Sequence, residues 1–123
     1  MNIGIIGAMI EEVALIKSDM ENLIIHELAG RSFFTGTLYG HDAVIVLSLC
    51  GKVAAASTAT ILLDKFDVDL VVFTGVAGAV DSRLNVGDVV VSAMLYQHDL
   101  NAEPISPKFY IPFTATSHFK PQP

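Results

Sequence analysis

Twice along this chain an apolar run stops abruptly at glycine. The first is Ile3-Gly4-Ile5-Ile6-Gly7-Ala8, followed by Met9, Ile10 and the paired acids Glu11-Glu12. The second is Val68-Asp69-Leu70-Val71-Val72-Phe73-Thr74-Gly75-Val76-Ala77-Gly78-Ala79. Short β-branched runs that are apolar throughout and bounded by glycine belong to strands buried on both faces. Open α/β sheets hold their ligands outside the carboxyl ends of such strands. Two junctions of one kind therefore predict an α/β fold whose glycine turns open at the same sheet end and share a small-molecule site.

The rest of the chain fits around those two strands. Ile10, Val13, Ile16, Met20 and Leu23 recur three or four apart, which predicts a helix over 10–23. Three β candidates follow, at 24–28, 32–38 and 42–49, with Ala29-Gly30 and Tyr39-Gly40 as turn signals between them. The Ala-, Val- and Leu-rich run 51–66 predicts a second helix, and 89–94 a further strand. Helices between buried strands imply parallel pairing, whereas the middle three strands suit antiparallel hairpins. The expected architecture is α/β, a mixed central β-sheet flanked by helices, with residues 1–99 forming one unit. After His98 the character changes, because all five prolines fall within the last twenty residues. Both a disordered tail and a functional loop over 100–123 fit that composition.

At 123 residues the chain suffices for one domain and is short for two. An apolar fraction of 52% describes a densely buried globular chain. A net charge of −6 with scattered basic residues argues against nucleic acid as a partner. No apolar stretch reaches the ~18 residues that a membrane span requires. The single cysteine, Cys50, excludes an intramolecular disulfide and fits a reducing compartment. An N-terminus without a basic flank argues against a secretory signal, so the expected location is cytoplasmic.

Few residues carry candidate chemistry. Gly4-x-x-Gly7 lacks the third glycine of a dinucleotide fingerprint, and Gly7-Ala8 fits a tightly packed strand-to-helix turn as well as a ligand-side turn. Glu11 and Glu12 fall in a first helical turn, where acids complement the helix dipole by a few tenths of a kcal/mol to about 1 kcal/mol. A carboxylate directly after a buried strand can also orient or deprotonate a water. Glu12 is the candidate for that role. The small residues Gly75, Ala77 and Gly78 would let a bulky ligand approach the backbone closely. No Lys or Arg follows them before Arg83, so a phosphate cradle is poorly supported there. His26, His41 and His118 show no ligand spacing to one another or to Cys50, and no metal site is expected. His98-Asp99 reads as a structural pair, since adjacent strand residues face opposite ways.

Five segments occur in a telling order: Ile-Gly-Ile-Ile-Gly-Ala-Met-x-Glu-Glu at 3–12, Gly-Lys-Val-Ala-Ala-Ala at 51–56, Thr-Gly-Val-Ala-Gly at 74–78, Val-Gly-Asp-Val-Val-Val-Ser at 86–92 and His-Asp at 98–99. Together they resemble the bacterial 5′-methylthioadenosine/S-adenosylhomocysteine nucleosidases of the purine nucleoside phosphorylase superfamily. The match runs from residue 1 to about 99 and becomes loose beyond it. The resemblance implies hydrolysis of the N-glycosidic bond of 5′-thioadenosine nucleosides, with no cofactor. It places the water-activating glutamate on Glu12 and the 5′-thio pocket wall on Ala8, Met9 and Cys50, where cysteine replaces the more usual isoleucine. The ribose-side loop falls on Val76, Ala77 and Gly78, with Val76 standing where many relatives carry serine. A homodimer is implied, with Ile111, Pro112 and Phe113 matching the loop that closes a partner's pocket. The family's chain is roughly twice this long, so the resemblance implies a nucleoside-phosphorylase-like N-terminal half, apparently truncated. The later half carries the adenine-stacking aromatic, the ribose clamp and the purine-protonating aspartate. A reading of another kind stands beside hydrolysis, a non-catalytic nucleoside-binding or surface-interaction protein on the same fold, and within the enzyme class the rival is a phosphate-dependent phosphorylase.

Overall fold

A computed structural model gives the structure of the chain and describes residues 1–121. Residues 122–123, the end of the proline-rich segment, lie outside the described residues. The chain divides into two compact units, the first Met1–Gly78 and the second beginning at Ala79. The first contains, in order, β1 (Asn2–Gly7), α1 (Ile10–Ser18), β2 (Glu21–Leu28), β3 (Arg31–Leu38), β4 (His41–Leu47), α2 (Lys52–Lys65) and β5 (Leu70–Phe73).

These strands form one mixed sheet in the order β2-β3-β4-β1-β5. β1 lies one strand in from the β5 edge, parallel to β4 on one side and to β5 on the other. β2, β3 and β4 pair antiparallel, as their turn-linked pattern predicts. Alternate residues of the sheet supply two cores. Ile6, Val44 and Val46 pack with Phe33, Leu62 and Val68 in one. Ile5, Ala43 and Ile45 pack with Val13 and Leu38 in the other. Val13 belongs to α1 and Leu62 to α2, so the helices cover opposite faces. Burial on both sides is why β1 reads as an unbroken apolar run.

Each glycine of Gly4-x-x-Gly7 lets a helix approach the sheet. A Cβ on Gly4 would stand 3.1 Å from Leu62 Cδ1, on the α2 side. A Cβ on Gly7 would stand 2.5 Å from Val13 Cγ1, on the α1 side. Close packing, one of the two readings open for the Gly7 turn, accounts for both glycines. Gly51 meets a different demand: it precedes α2 with φ at 105°, a region that side chains disfavour.

Three expectations differ. The second apolar run was expected to be buried on both faces, but β5 is the sheet's edge strand, paired to β1 alone in the sheet order, with Phe73 61% exposed. The helix expected over 10–23 ends at Ser18, and Glu21 already begins β2. Met20 keeps its place against the α1-side core, so its apolar spacing was real but tertiary rather than helical. Asp19 caps α1 and accepts a hydrogen bond from the Tyr39 hydroxyl in the β3–β4 turn, while Asn22 at φ 54° lies inside β2, where its register against β3 shifts between Glu21 and Ile24. The strand expected over 89–94 does not form. Val89 and Val91 are 91% and 88% exposed, and the segment has no ladder partner among the described residues. A β-branched run supplies propensity, but a strand requires a neighbour. The second unit consists of turns with one isolated bridge, Leu95 to Phe119, among the described residues.

Gly7→Ala should destabilise the first unit by about 1–3 kcal/mol, the usual cost of overpacking a core. Urea unfolding measures this, and an unchanged midpoint would mean that Val13 yields freely.

Candidate active site at the carboxyl ends of three parallel strands

β4, β1 and β5 run parallel and end side by side, with Gly7 opposite Leu47 and Ile6 opposite Phe73. The loops beyond them are held in register by backbone bonds. The N–H of Ser48 donates to Gly7 O at 2.9 Å, and that of Thr74 to Ile6 O at 3.0 Å. Ala8, Met9 and Glu12 follow β1, Cys50 follows β4, and Val76, Ala77 and Gly78 follow β5. The structure thus brings these seven sequence-designated residues to one sheet end. Ile111, Pro112 and Phe113 belong to the second unit, in a turn where Ile111 N–H donates to Thr116 O at 3.0 Å.

Glu12 is the third residue of α1 and is half-buried, whereas Glu11 is exposed. Its carboxylate gathers N–H donors from two loops. Oε2 accepts from Ala8 N at 2.7 Å and Met9 N at 2.9 Å. Oε1 accepts from Val76 N at 3.2 Å, across 64 residues of sequence. The Met9 bond is half of a capping box and satisfies a donor that a helix start leaves orphaned. The Val76 bond is long-range and ties β1 to β5. The Met9 N–H, then those of Val76 and Ala8, hold the Glu12 carboxyl below the usual carboxylate range, against a smaller opposing effect of burial. The group is therefore an anion at neutral pH. A carboxylate offers about four acceptor positions, so with three filled one remains, on Oε1.

The surroundings refine two sequence readings. Gly75 was expected to admit a ligand, but the chain's own acid fills that space: a Cβ there would stand 2.8 Å from Glu12 Oε1. Gly78 meets nothing within 4 Å and remains open. Cys50, Met9 and Val76 are exposed at the site's edge. The backbone donors were missed by sequence reasoning, which sees side chains; the only available signal was the acid three residues into a helix beside a second glycine turn. A groove of about 540 Å³ also runs along α1, lined by Ile10, Val13, Ala14, Lys17, Phe34 and Leu47. It contains none of the designated residues, and the Lys17 ammonium sits 3.5 Å over the Phe34 ring there. Among the described residues no group of His, Cys, Asp or Glu could hold a metal ion, and no helix is long and apolar enough to cross a membrane.

With this geometry in place, comparison with known proteins identifies the class. Residues 2–123 match the Phosphorylase superfamily, and the chain belongs to it. Within that class it is similar to 5′-methylthioadenosine/S-adenosylhomocysteine nucleosidases. The one from Tolumonas auensis is 48% identical over 101 residues, which are 82% of this chain and 44% of the relative. The one from Staphylococcus saprophyticus is 41% identical over 122 residues, covering 94% of this chain and 54% of the relative, so that match continues into the proline-rich segment. The crystal structure of the nucleosidase from Colwellia psychrerythraea 34H, in complex with adenine, superposes with a TM-score of 0.93 at 44% identity. The superposition covers 98% of this chain and 50% of that one. The chain spans about half the length of the curated relatives it matches.

The carboxylate's bonds make stability depend on pH in a definite direction. Because folding lowers the Glu12 pKa, its contribution is complete above the usual carboxylate range and is lost as pH falls through the lower folded value. The stability difference between the protein and its Glu12→Gln variant, followed by urea unfolding, should be constant from neutral pH down to that range. Below it the difference should shrink. A difference that shrinks between pH 8 and 6 instead would place the carboxyl in another environment.

Proposed function

We propose that this chain carries the water-activating part of an adenosine-type N-glycosidase that cleaves 5′-methylthioadenosine and S-adenosylhomocysteine. The observation that carries this is the Glu12 carboxylate, fixed by three backbone donors with one acceptor position open on Oε1. It sits at the carboxyl ends of three parallel strands, in a chain similar to nucleosidases of that specificity. In the proposed reaction the bond from the anomeric carbon to adenine breaks as water oxygen bonds to that carbon. The water's proton passes to Glu12, and adenine leaves with the bonding electrons and takes a proton from a general acid. A carboxylate with a lowered pKa is a weak base at rest. It suffices because the attacking water becomes strongly acidic as it bonds to an oxocarbenium-like centre.

The same N–H groups argue for water over phosphate. Backbone donors at a helix start and strand end are the usual cradle for a phosphate. Here the chain's own carboxylate occupies them, and a second anion beside it would be repelled. The segments 3–9 and 70–78 contain no Lys or Arg to offset that charge.

Ala8, Met9 and Cys50 are proposed to border the 5′-alkylthio group, and Val76, Ala77 and Gly78 the ribose. A homodimer belongs to the same proposal, with Ile111, Pro112 and Phe113 on the 100–123 loop reaching a partner's pocket. Support for association comes from α2, where Val53, Ala56, Thr60 and Leu63 form one exposed stripe, Val53 being 85% and Leu63 56% exposed. Sedimentation should find the chain self-associated, and Val53→Glu with Leu63→Glu should shift it toward monomer. A monomer that the double substitution leaves unchanged would remove α2 from the interface. A cytoplasmic location fits the single cysteine.

Adenine release tests the reaction. The chain should be assayed alone and joined to the remaining length of the Colwellia psychrerythraea nucleosidase, with and without phosphate. The joined form should release adenine from both nucleosides independently of phosphate, and Glu12→Gln in it should slow release by at least ~10², the lower scale for a positioned base. The chain alone should be slower by ~10²–10⁴, because the family resemblance places the leaving-group acid in the other half. Release that requires phosphate, or that Glu12→Gln leaves unchanged, would overturn the proposal.

A further inference from the structure

We infer that Gly75 is a positioning residue for Glu12: the absence of a side chain at 75 creates the space in which the carboxylate meets the Val76 N–H and keeps Oε1 accessible to a water. The inference rests on the proposed role of Glu12 only for its catalytic consequence.

The geometry separates Gly75 from the other glycines of the two junctions. A Cβ on Gly75 would stand 2.8 Å from Glu12 Oε1 and 3.1 Å from its Cδ, far inside van der Waals contact. Its third neighbour, Phe73 Cε1, would lie at 3.4 Å, an ordinary contact. The only atoms that must move are the far end of a flexible side chain. Gly7 is the opposite case, because its Cβ would strike a branched methyl of the buried Val13. Backbone strain gives no reason for glycine at 75 either, since its φ is not among the positive ones. A methyl at 75 would therefore cost the fold little and would displace the carboxylate group directly. It would push on Oε1, the oxygen that holds both the Val76 bond and the open acceptor position.

The carboxylate has few other titratable neighbours in the segments around it. Glu11 and Lys17 lie on α1, Cys50 follows β4, Lys52 begins α2, and 3–9 and 70–78 contain none. The backbone donors thus dominate its titration, and loss of the Val76 donor has a readable consequence.

The test uses the full 123-residue chain with ¹³C-labelled glutamate carboxyls and ¹⁵N-labelled amides. In Gly75→Ala the Glu12 titration midpoint should rise toward the usual carboxylate range, and the Val76 amide should lose the shift that accompanies that titration. A Glu12 midpoint and a Val76 response identical to those of the unmodified chain would overturn the inference. A stability cycle supplies the second arm. In a Glu12→Ala background, Gly75→Ala should leave the urea midpoint where Glu12→Ala alone puts it, because the atoms it would strike are gone. If Gly75→Ala by itself fails to fold, the double variant decides: folding like Glu12→Ala supports the inference, and failure overturns it. These readouts do not involve turnover. A catalytic role for Glu12 can thus fail in the adenine assay while its positioning by Gly75 stands, and the reverse.

Discussion

One carboxylate, accepting N–H bonds from two loops, organises this sheet end. Glu12 Oε2 closes the turn between β1 and α1, and Oε1 reaches the first residues beyond β5. Each donor lies at the end of a regular element, where backbone groups have no partner within the element itself. A helix N-terminus favours a nearby anion, from the chain itself or from a ligand. Here it is built into the chain. The fold supplies the exact setting that this requires: β1 and β5 adjacent and parallel, with glycines at 7 and 75 allowing α1 and the acid to close on the strand ends.

That built-in anion underlies the proposed preference for water over phosphate in this member of the Phosphorylase superfamily. A phosphate site built on backbone N–H groups presents open donors to an incoming anion. This one presents an anion whose single spare acceptor position suits the O–H of a water. In the proposed reading, function follows from occupancy of a few donors rather than from the fold.

Much of this was legible in the sequence, for specific reasons. Apolar runs bounded by glycine announce strands, so the existence of β1 and β5 and their common end were readable from the sequence, but burial on both faces holds for β1 and not for β5, which is an edge strand. The turn pairs Ala29-Gly30 and Tyr39-Gly40 fixed the antiparallel neighbours. The end of α1 was not readable, because Met20 keeps the helical apolar interval while packing from outside the helix. Val89–Val91 misled in the opposite sense, having strand composition and no partner among the described residues. At the site, Glu12 stood out by its place after a strand, and its resemblance to a family glutamate strengthened that. Its partners were invisible since they are main-chain groups. The meaning of Gly75 was inverted: the sequence suggests room for a ligand, and the structure fills that room with Glu12.

The central claim is that the chain's own carboxylate holds the donors that a phosphate would otherwise take. A phosphate titration followed through the amide resonances of Ala8, Met9 and Val76 tests it most directly. In the unmodified protein these three amides should not respond to phosphate, while in Glu12→Ala they should shift together and saturate, as vacated donors accept the anion. A saturable response of the same amides in the unmodified protein would contradict the account.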